Sequence, residues 1–400
     1  MTDTELLFNP FLPGFNEDPY PHYQRMRDQD PVHEHPLGFW LVTTYDDVTA
    51  LLRAKLSVEA RNLAGGMIAD QFQQVDPDGV RALSMLDRDS PDHTRLRALV
   101  TKVFTPKAIA ALEPMVAELV DQSLDRIADG GRVDLIDELA FPLPFAVISE
   151  MLGTRPADHE LLRELSGTLV RSLEVQTDPD VLQAINDAET RLMDMMRDII
   201  VWKRDNPADD LLTALIAAEH DGDRLTEDEL VAQVLLLYVA GHETTVNLIG
   251  NGAIALLRNP DQLALLRANP DLVTNGVEEF LRYDSPVQQS RRITLAPHTI
   301  GGREIPAGAF VIAGLASANR DERHFGPDAN KLRIDREEAR TQVSFGAGPH
   351  HCLGAALARL EGRLALGKLV TRLPNLSLDG DIEWNGRLNL RGAAKLPVAT

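Results

Sequence analysis

The chain has 400 residues, 44% hydrophobic and 25% charged, and its 40 basic against 61 acidic side chains leave a net charge of −21. Such a balance argues against nucleic acid and against an anionic membrane surface as partners. One cysteine in the whole chain rules out a disulfide framework and suits a reducing compartment, so a cytoplasmic location is expected.

Met1-Thr2-Asp3-Thr4-Glu5 lacks the basic start and apolar core of a secretory signal. The densest apolar run, Val234 to Ala240, is too short to span a bilayer. Length alone would allow two or three domains. No linker, repeat or low-complexity tract divides the chain, so residues 1–400 are expected to form one domain.

Residues 1–30 are rich in Pro, Asn and Asp and carry a short helical pattern from Tyr20 to Arg27. Phe39 to Thr43 reads as a strand and Asp46 to Leu52 as a helix. Residues 63–89, with Gly65-Gly66, Pro77 and Gly79, read mostly as loop. Helices are then expected over about 92–103, 106–128, 142–152, 157–173 and 179–204, with Pro106, Pro156 and Pro179 near their starts. Arg132 to Leu135 is a short strand candidate. Thr226 with Glu229 forms a capping box. It opens a helix of near 30 residues that ends at Asn259-Pro260 and is apolar nearly all round from Val231 to Ala240, so it should run through the core. Helices follow over about 261–267 and from Pro270 to Tyr283, then short strands at 292–294, 299–302, 303–306 and 309–312. Residues 320–344 read as irregular, Ala355 to Leu373 as a helix, and the end from Leu376 as strands. Helices early and strands late predict an α+β chain, mainly α, with a minor sheet.

The lone cysteine lies in Phe345-Gly346-Ala347-Gly348-Pro349-His350-His351-Cys352-Leu353-Gly354, where a glycine-rich turn hands over to a helix. Unpaired amides of a first helical turn favour an anion. One thiolate cannot make a disulfide and falls short of a structural zinc site, but it suffices as the axial ligand of a haem iron. The plainer alternative is a buried small hydrophobe. Phe345, Gly348, Cys352 and Gly354 complete the pattern Phe-x-x-Gly-x-x-x-Cys-x-Gly, with His350 two before the cysteine. On these residues the chain resembles the cytochrome P-450 family, whose haem-binding signature this is. The resemblance covers essentially the whole chain and implies the P-450 fold, haem b (iron protoporphyrin IX) and Cys352 as iron ligand.

Other segments fall into place by the same resemblance. Ala240-Gly241-His242-Glu243-Thr244-Thr245 interrupts the apolar helix; glycine weakens it and threonine can bond back to a carbonyl. The segment is either a packing kink or a break that makes room for a small ligand. It is similar to the family's oxygen-binding groove, which implies that O2 lies between Ala240 and Thr244. Thr244 would then hydrogen-bond the activated oxygen, Glu243 would help relay protons to it, and His242 has no assigned role. His93 and Arg97 share a helix face, either solvated or holding a carboxylate. The resemblance implies that they contact the haem propionates, with Arg292 and His350 completing the set; Arg95 points elsewhere. Glu279 and Arg282 are either an exposed pair or, by resemblance, a buried structural network whose third member is Arg320 or Arg323. His22, His159 and His220 read as surface residues, and Asp209-Asp210, Asp221-Gly222-Asp223 and Glu227-Asp228 as solvated acidic surface.

The implied activity is insertion of one atom of O2 into a C–H or C=C bond of an apolar small molecule, by hydroxylation or epoxidation. Electrons are expected from NAD(P)H through a reductase and a ferredoxin-type donor, received near Lys102, Lys107, Arg359 and Arg363. Pocket walls are expected from residues 63–89 and 165–185, Leu236, Leu237, Ala240, Val287, Gln288 and Gly392-Ala393-Ala394. The alternatives are an H2O2-driven peroxygenase and a haem-binding sensor without catalysis.

Overall fold

The computed structural model describes residues 6–74, 80–102, 104–155, 159–173, 178–218 and 225–400. Expectations for Met1 to Glu5, Pro77, Gly79, Pro156, His220 and Asp221-Gly222-Asp223 fall outside these residues. The helices, in order, are α1 (Tyr20–Gln29), α2 (Tyr45–Arg53), α3 (Met67–Gln74), α4 (Asp92–Thr101), α5 (Pro106–Ala111), α6 (Glu113–Gly130), α7 (Pro142–Leu152) and α8 (His159–Leu169). They continue with α9 (Pro179–Asp205), α10 (Leu211–Ala218), α11 (Glu227–Arg258), α12 (Pro260–Ala268), α13 (Val273–Tyr283), α14 (Leu315–Ala318), α15 (Glu322–Phe325) and α16 (Ala355–Arg372).

A four-stranded sheet has the order β1 (Val32–His35), β2 (Phe39–Val42), β7 (Phe310–Gly314), β4 (Gln289–Ile293), with β2 and β7 parallel. Between β4 and β7 the chain makes the hairpin β5 (His298–Ile300)–β6 (Arg303–Ile305). Near the C-terminus β11 (Pro397–Ala399) pairs with β3 (Arg132–Asp134) and β8 (Ser377–Leu378). The last pair is β9 (Glu383–Trp384) with β10 (Ala393–Lys395).

α11 starts where the capping box predicts. Thr226 Oγ1 accepts from the Glu229 amide at 3.2 Å, and the Glu229 carboxylate accepts from the Thr226 amide at 2.8 Å. Buried residues lie all round it, from Leu230 to Leu256, so it forms the axis of the main core with α6, α7, α9 and α16. A second core lies between the four-stranded sheet and α2, around Trp40, Val42, Leu51 and Val311.

Several expectations need correction. The described part of residues 63–89 holds more helix than expected: α3 begins with the Asp70 amide bonding Gly66 O at 2.9 Å, and a short 3-10 helix spans Val80–Leu83. The helix expected over 106–128 is two, because Pro114 has no N–H to continue the ladder of α5. α11 is unbroken through Gly241 and Thr245, so there is no helix break there. β1 and α10 were not anticipated, and His22 and His159 are half-buried against Phe15 and Phe145.

The third partner of Glu279 and Arg282 is neither Arg320 nor Arg323 but Arg336, whose Nε lies 3.4 Å from Glu279 Oε1. Arg320 instead bonds Tyr283 O at 2.7 Å and lies between the rings of Tyr20 and Tyr283. Arg323 reaches Arg27 O.

Candidate active site

The cysteine loop is held by backbone geometry. Gly346 and Gly348 have φ of +68° and +71°, a region that L side chains avoid. A Cβ on Gly348 would stand 2.5 Å from Leu52 O, in the last turn of α2. Gly348→Ala is therefore expected to cost more stability, read as a lower urea midpoint, than the about 1–2 kcal/mol of a left-handed non-glycine residue alone. Gly302→Ala is the control, since Gly302 is also left-handed (φ +78°) but has nothing within 4 Å.

The Cys352 amide bonds Phe345 O at 2.9 Å, closing the loop. Phe345 lies under the Arg359 guanidinium at 4.6 Å. Burial pushes the Cys352 thiol above its ordinary value, opposed by the Gly354 and Ala355 amides and by Arg97 and Arg359. Burial wins, so helix-terminal amides alone do not yield a thiolate; a cation bound to the sulfur would. Cys352 is accessible to water although densely surrounded by protein.

Around this loop α4 and β4 gather cationic and donor groups. His93 of α4 is buried, its ring 4.1 Å from that of His350, and its Nε2 has no partner. Burial and Arg97 lower the His93 pKa. Burial, helped by His93, Arg292, Arg97 and Arg291, brings His350 down to about 3. Both imidazoles are thus neutral near pH 7. Arg292 is buried, which lowers it to about 10, still charged. Its guanidinium donates to Ser290 Oγ at 3.0 Å and Arg291 O at 2.6 Å. Arg97 donates to His351 O at 2.7 Å. The four sequence-derived residues are thus brought together, as two guanidiniums and two neutral imidazoles. Arg95 turns away to Glu229, as expected, and fastens α4 to the start of α11.

On α11, Ala240 is exposed and Thr244 half-buried. Thr244 Oγ1 donates to Ala240 O at 3.0 Å, which leaves its lone pairs free to accept. Glu243 is not a free carboxylate. Arg387 Nη1 lies 2.5 Å from its Oε1, and burial raises the Glu243 pKa while Arg387 opposes. His242 is buried against Phe141 and Phe145 with both ring nitrogens unpartnered, and burial lowers it to about 4. Among the described residues, no three His, Cys, Asp or Glu side chains gather as a metal site.

Arg387 is the residue that sequence reasoning missed, because it lies 144 positions from Glu243. It lines a cleft of about 770 Å³ with Phe11, Leu12, Asn16, Val181 and Leu388; no residue of the cysteine loop lines it. Of the expected pocket walls, Leu237 and Gln288 are buried, whereas Leu236, Val287 and Ala394 are partly or fully accessible.

The sequence profile of the family described as Cytochrome P450 matches residues 39–379. Cytochrome P450 107B1 of Saccharopolyspora erythraea is 42% identical, over 97% of this chain and 96% of its own. Vitamin D(3) 25-hydroxylase of Pseudonocardia autotrophica is 41% identical, over 97% and 95%. Among solved structures, the myxobacterial cytochrome P450 CYP267B1 in complex with myristic acid superposes with a TM-score of 0.91 at 36% identity, covering 98% of each chain. No described helix is long and apolar enough to cross a membrane. Similarity along nearly the whole length, in both sequence and fold, makes this chain a member of the cytochrome P450 family, a haem-containing monooxygenase.

Proposed function

We propose that residues 1–400 act as one cytoplasmic domain that binds haem b and oxidises an apolar small molecule by hydroxylation or epoxidation. Electrons come from NAD(P)H through a ferredoxin-type donor. The observation that carries the reading is the water-accessible Cys352 inside the protein, with two backbone amides aimed at its sulfur. Haem, when bound, would be held by Cys352 and would supply the activation of O2.

The residues present fit such a group. Arg97 and Arg292 offer two positive charges for two propionates, and His93 and His350 add neutral donors; the unpartnered Nε2 of His93 supports this assignment. Phe345, Gly348 and Gly354 shape the loop that presents Cys352. Ala240 leaves room beside α11, and the half-exposed Leu236 and Val239 offer apolar contact to a substrate. The vitamin D(3) hydroxylase and the myristic acid complex among its relatives support an apolar substrate.

Thr244, with its hydrogen committed to Ala240 O, accepts a hydrogen bond beside that space, and Glu243 supplies protons. Thr244→Ala is expected to cut the product-forming rate on the order of 10²-fold while electron consumption continues. Parallel assay of NAD(P)H use and product measures this, and an unchanged yield per electron removes Thr244 from the mechanism. For the electron donor, Lys102 and Lys107 are exposed, whereas Arg359 is paired with Glu278 and Arg363 with Glu113. The two lysines are therefore the freer half of the proposed docking patch.

A further inference from the structure

Among the described residues Glu243 has one ionic partner, and that partner comes from the far end of the chain. The Arg387 guanidinium bonds it at 2.5 Å and also reaches Gly167 O of α8 at 3.5 Å. Arg387 is placed by Asn385 Oδ1, which accepts from its amide at 3.1 Å, and by the N-terminal segment. Asn16 Nδ2 donates to Arg387 O at 2.7 Å, and Asn16 Oδ1 accepts from the Gly386 amide at 3.2 Å. One side chain thus grips both sides of the peptide that carries Arg387.

Asn16 is itself fixed against the core. The buried Arg391 donates to Asn16 O at 2.7 Å and to Glu17 O at 2.8 Å, and pairs with Asp284. Asp284 also accepts from Tyr20 at 2.7 Å, and Asn251 of α11 donates to Arg391 O at 3.1 Å. The chain of contacts begins and ends on α11, so it is a frame that sets one carboxylate relative to its own helix.

We infer that Asn16 and Arg387 are positioning residues for Glu243: the N-terminal segment fixes where its carboxylate lies and when it carries a proton. This rests on the proposal above that Glu243 supplies protons.

The physics follows from burial. A buried carboxylate without a counter-charge keeps its proton, and a guanidinium in contact makes it give the proton up. Other charged or titratable groups in this region are His242, the preceding residue on α11, held neutral by burial, Arg163 of α8, which faces His242 and lies over Phe141, and Arg171, Glu17 and Asp178, which line the cleft with Arg387. Arg163 is within 3.8 Å of Asp137. Arg387 is the charge in direct contact with Glu243, and it opposes the effect of burial. It also lines the surface cleft, so small solutes can reach its place.

The test is an infrared pH titration of the resting haem-loaded enzyme, following the protonated-carboxyl band that is absent in Glu243→Gln. In Arg387→Gln the midpoint is expected to rise by about 1–3 units, and in Arg387→Lys most of the shift should be restored. Asn16→Ala should raise it by a smaller amount, and should add nothing in the Arg387→Gln background, because it acts through Arg387. Millimolar guanidinium chloride should bring the Arg387→Ala midpoint back towards wild type, and a merely structural arginine would not respond so. An unmoved midpoint in Arg387→Gln overturns the inference, as does additivity of Asn16→Ala with it. A Glu243→Gln enzyme with unchanged product per electron would instead sink the relay role and leave the positioning intact.

Discussion

Cys352→Ser is expected to abolish the red-shifted absorption that marks a thiolate-bound haem in the reduced, carbon monoxide-treated protein. It should also lower monooxygenase turnover by about 10³-fold or more, which is about 4 kcal/mol at 1.36 kcal/mol per tenfold. Serine is close in size, and the bond from the residue 352 amide to Phe345 O belongs to the backbone. The Gly354 and Ala355 amides still have an oxygen to meet. The loop should therefore fold unchanged, and only the donor atom differs. A hydroxyl resists ionisation far more than a thiol, and its oxygen donates less electron density to an iron than sulfur does. Equal urea midpoints for the two haem-free proteins would assign the loss to the sulfur. A serine protein that kept the red-shifted band would overturn Cys352 as the ligand.

What could be read from the sequence was local. The capping box of Thr226 and Glu229, the glycines around Cys352 and the His93–Arg97 spacing each lie within one turn or one loop, where backbone geometry is set by neighbours along the chain. α3 was missed because Gly65-Gly66 reads as loop, although Gly66 supplies the first helical carbonyl. Pairings across the chain were the illegible part. Arg320, Arg323, Arg333, Arg336 and Arg340 all lie in one polar stretch, and nothing in their spacing says which reaches Glu279. Asn16 and Arg387 lie 371 positions apart, and neither belongs to a recognisable motif. Glu243 stands out in the sequence because it interrupts an apolar helix, but its restraint by Arg387 depends on a fold that only the assembled structure supplies.

Removing the carboxylate of Glu279 is expected to have the largest effect on stability. Glu279 and Arg282 are fully buried, joined by two parallel bonds at 2.7 and 2.8 Å. Arg282 also donates to Asn319 O at 2.8 Å, Ala329 O at 2.7 Å and Lys331 O at 3.1 Å. Glu279→Ala leaves that guanidinium without a counter-charge, and an arginine does not shed its proton to escape. Breaking one side of a buried pair costs about 3–5 kcal/mol, a large share of the about 5–15 kcal/mol that holds a domain folded. Arg336 suffers less, because Asp328 still faces it at 2.9 Å.

The damage should reach the cysteine loop. Asn319, held by Arg282, donates to Ser344 Oγ at 2.8 Å and accepts from the Val343 amide at 2.8 Å, immediately before Phe345. Haem retention on dilution should therefore fall along with the urea midpoint in Glu279→Ala. Glu279→Leu combined with Arg282→Met should recover much of the stability, because the pair is removed as a unit. A loss below about 1 kcal/mol in Glu279→Ala, the range of an exposed pair, would mean that water reaches Arg282 and that the network does not carry the loop.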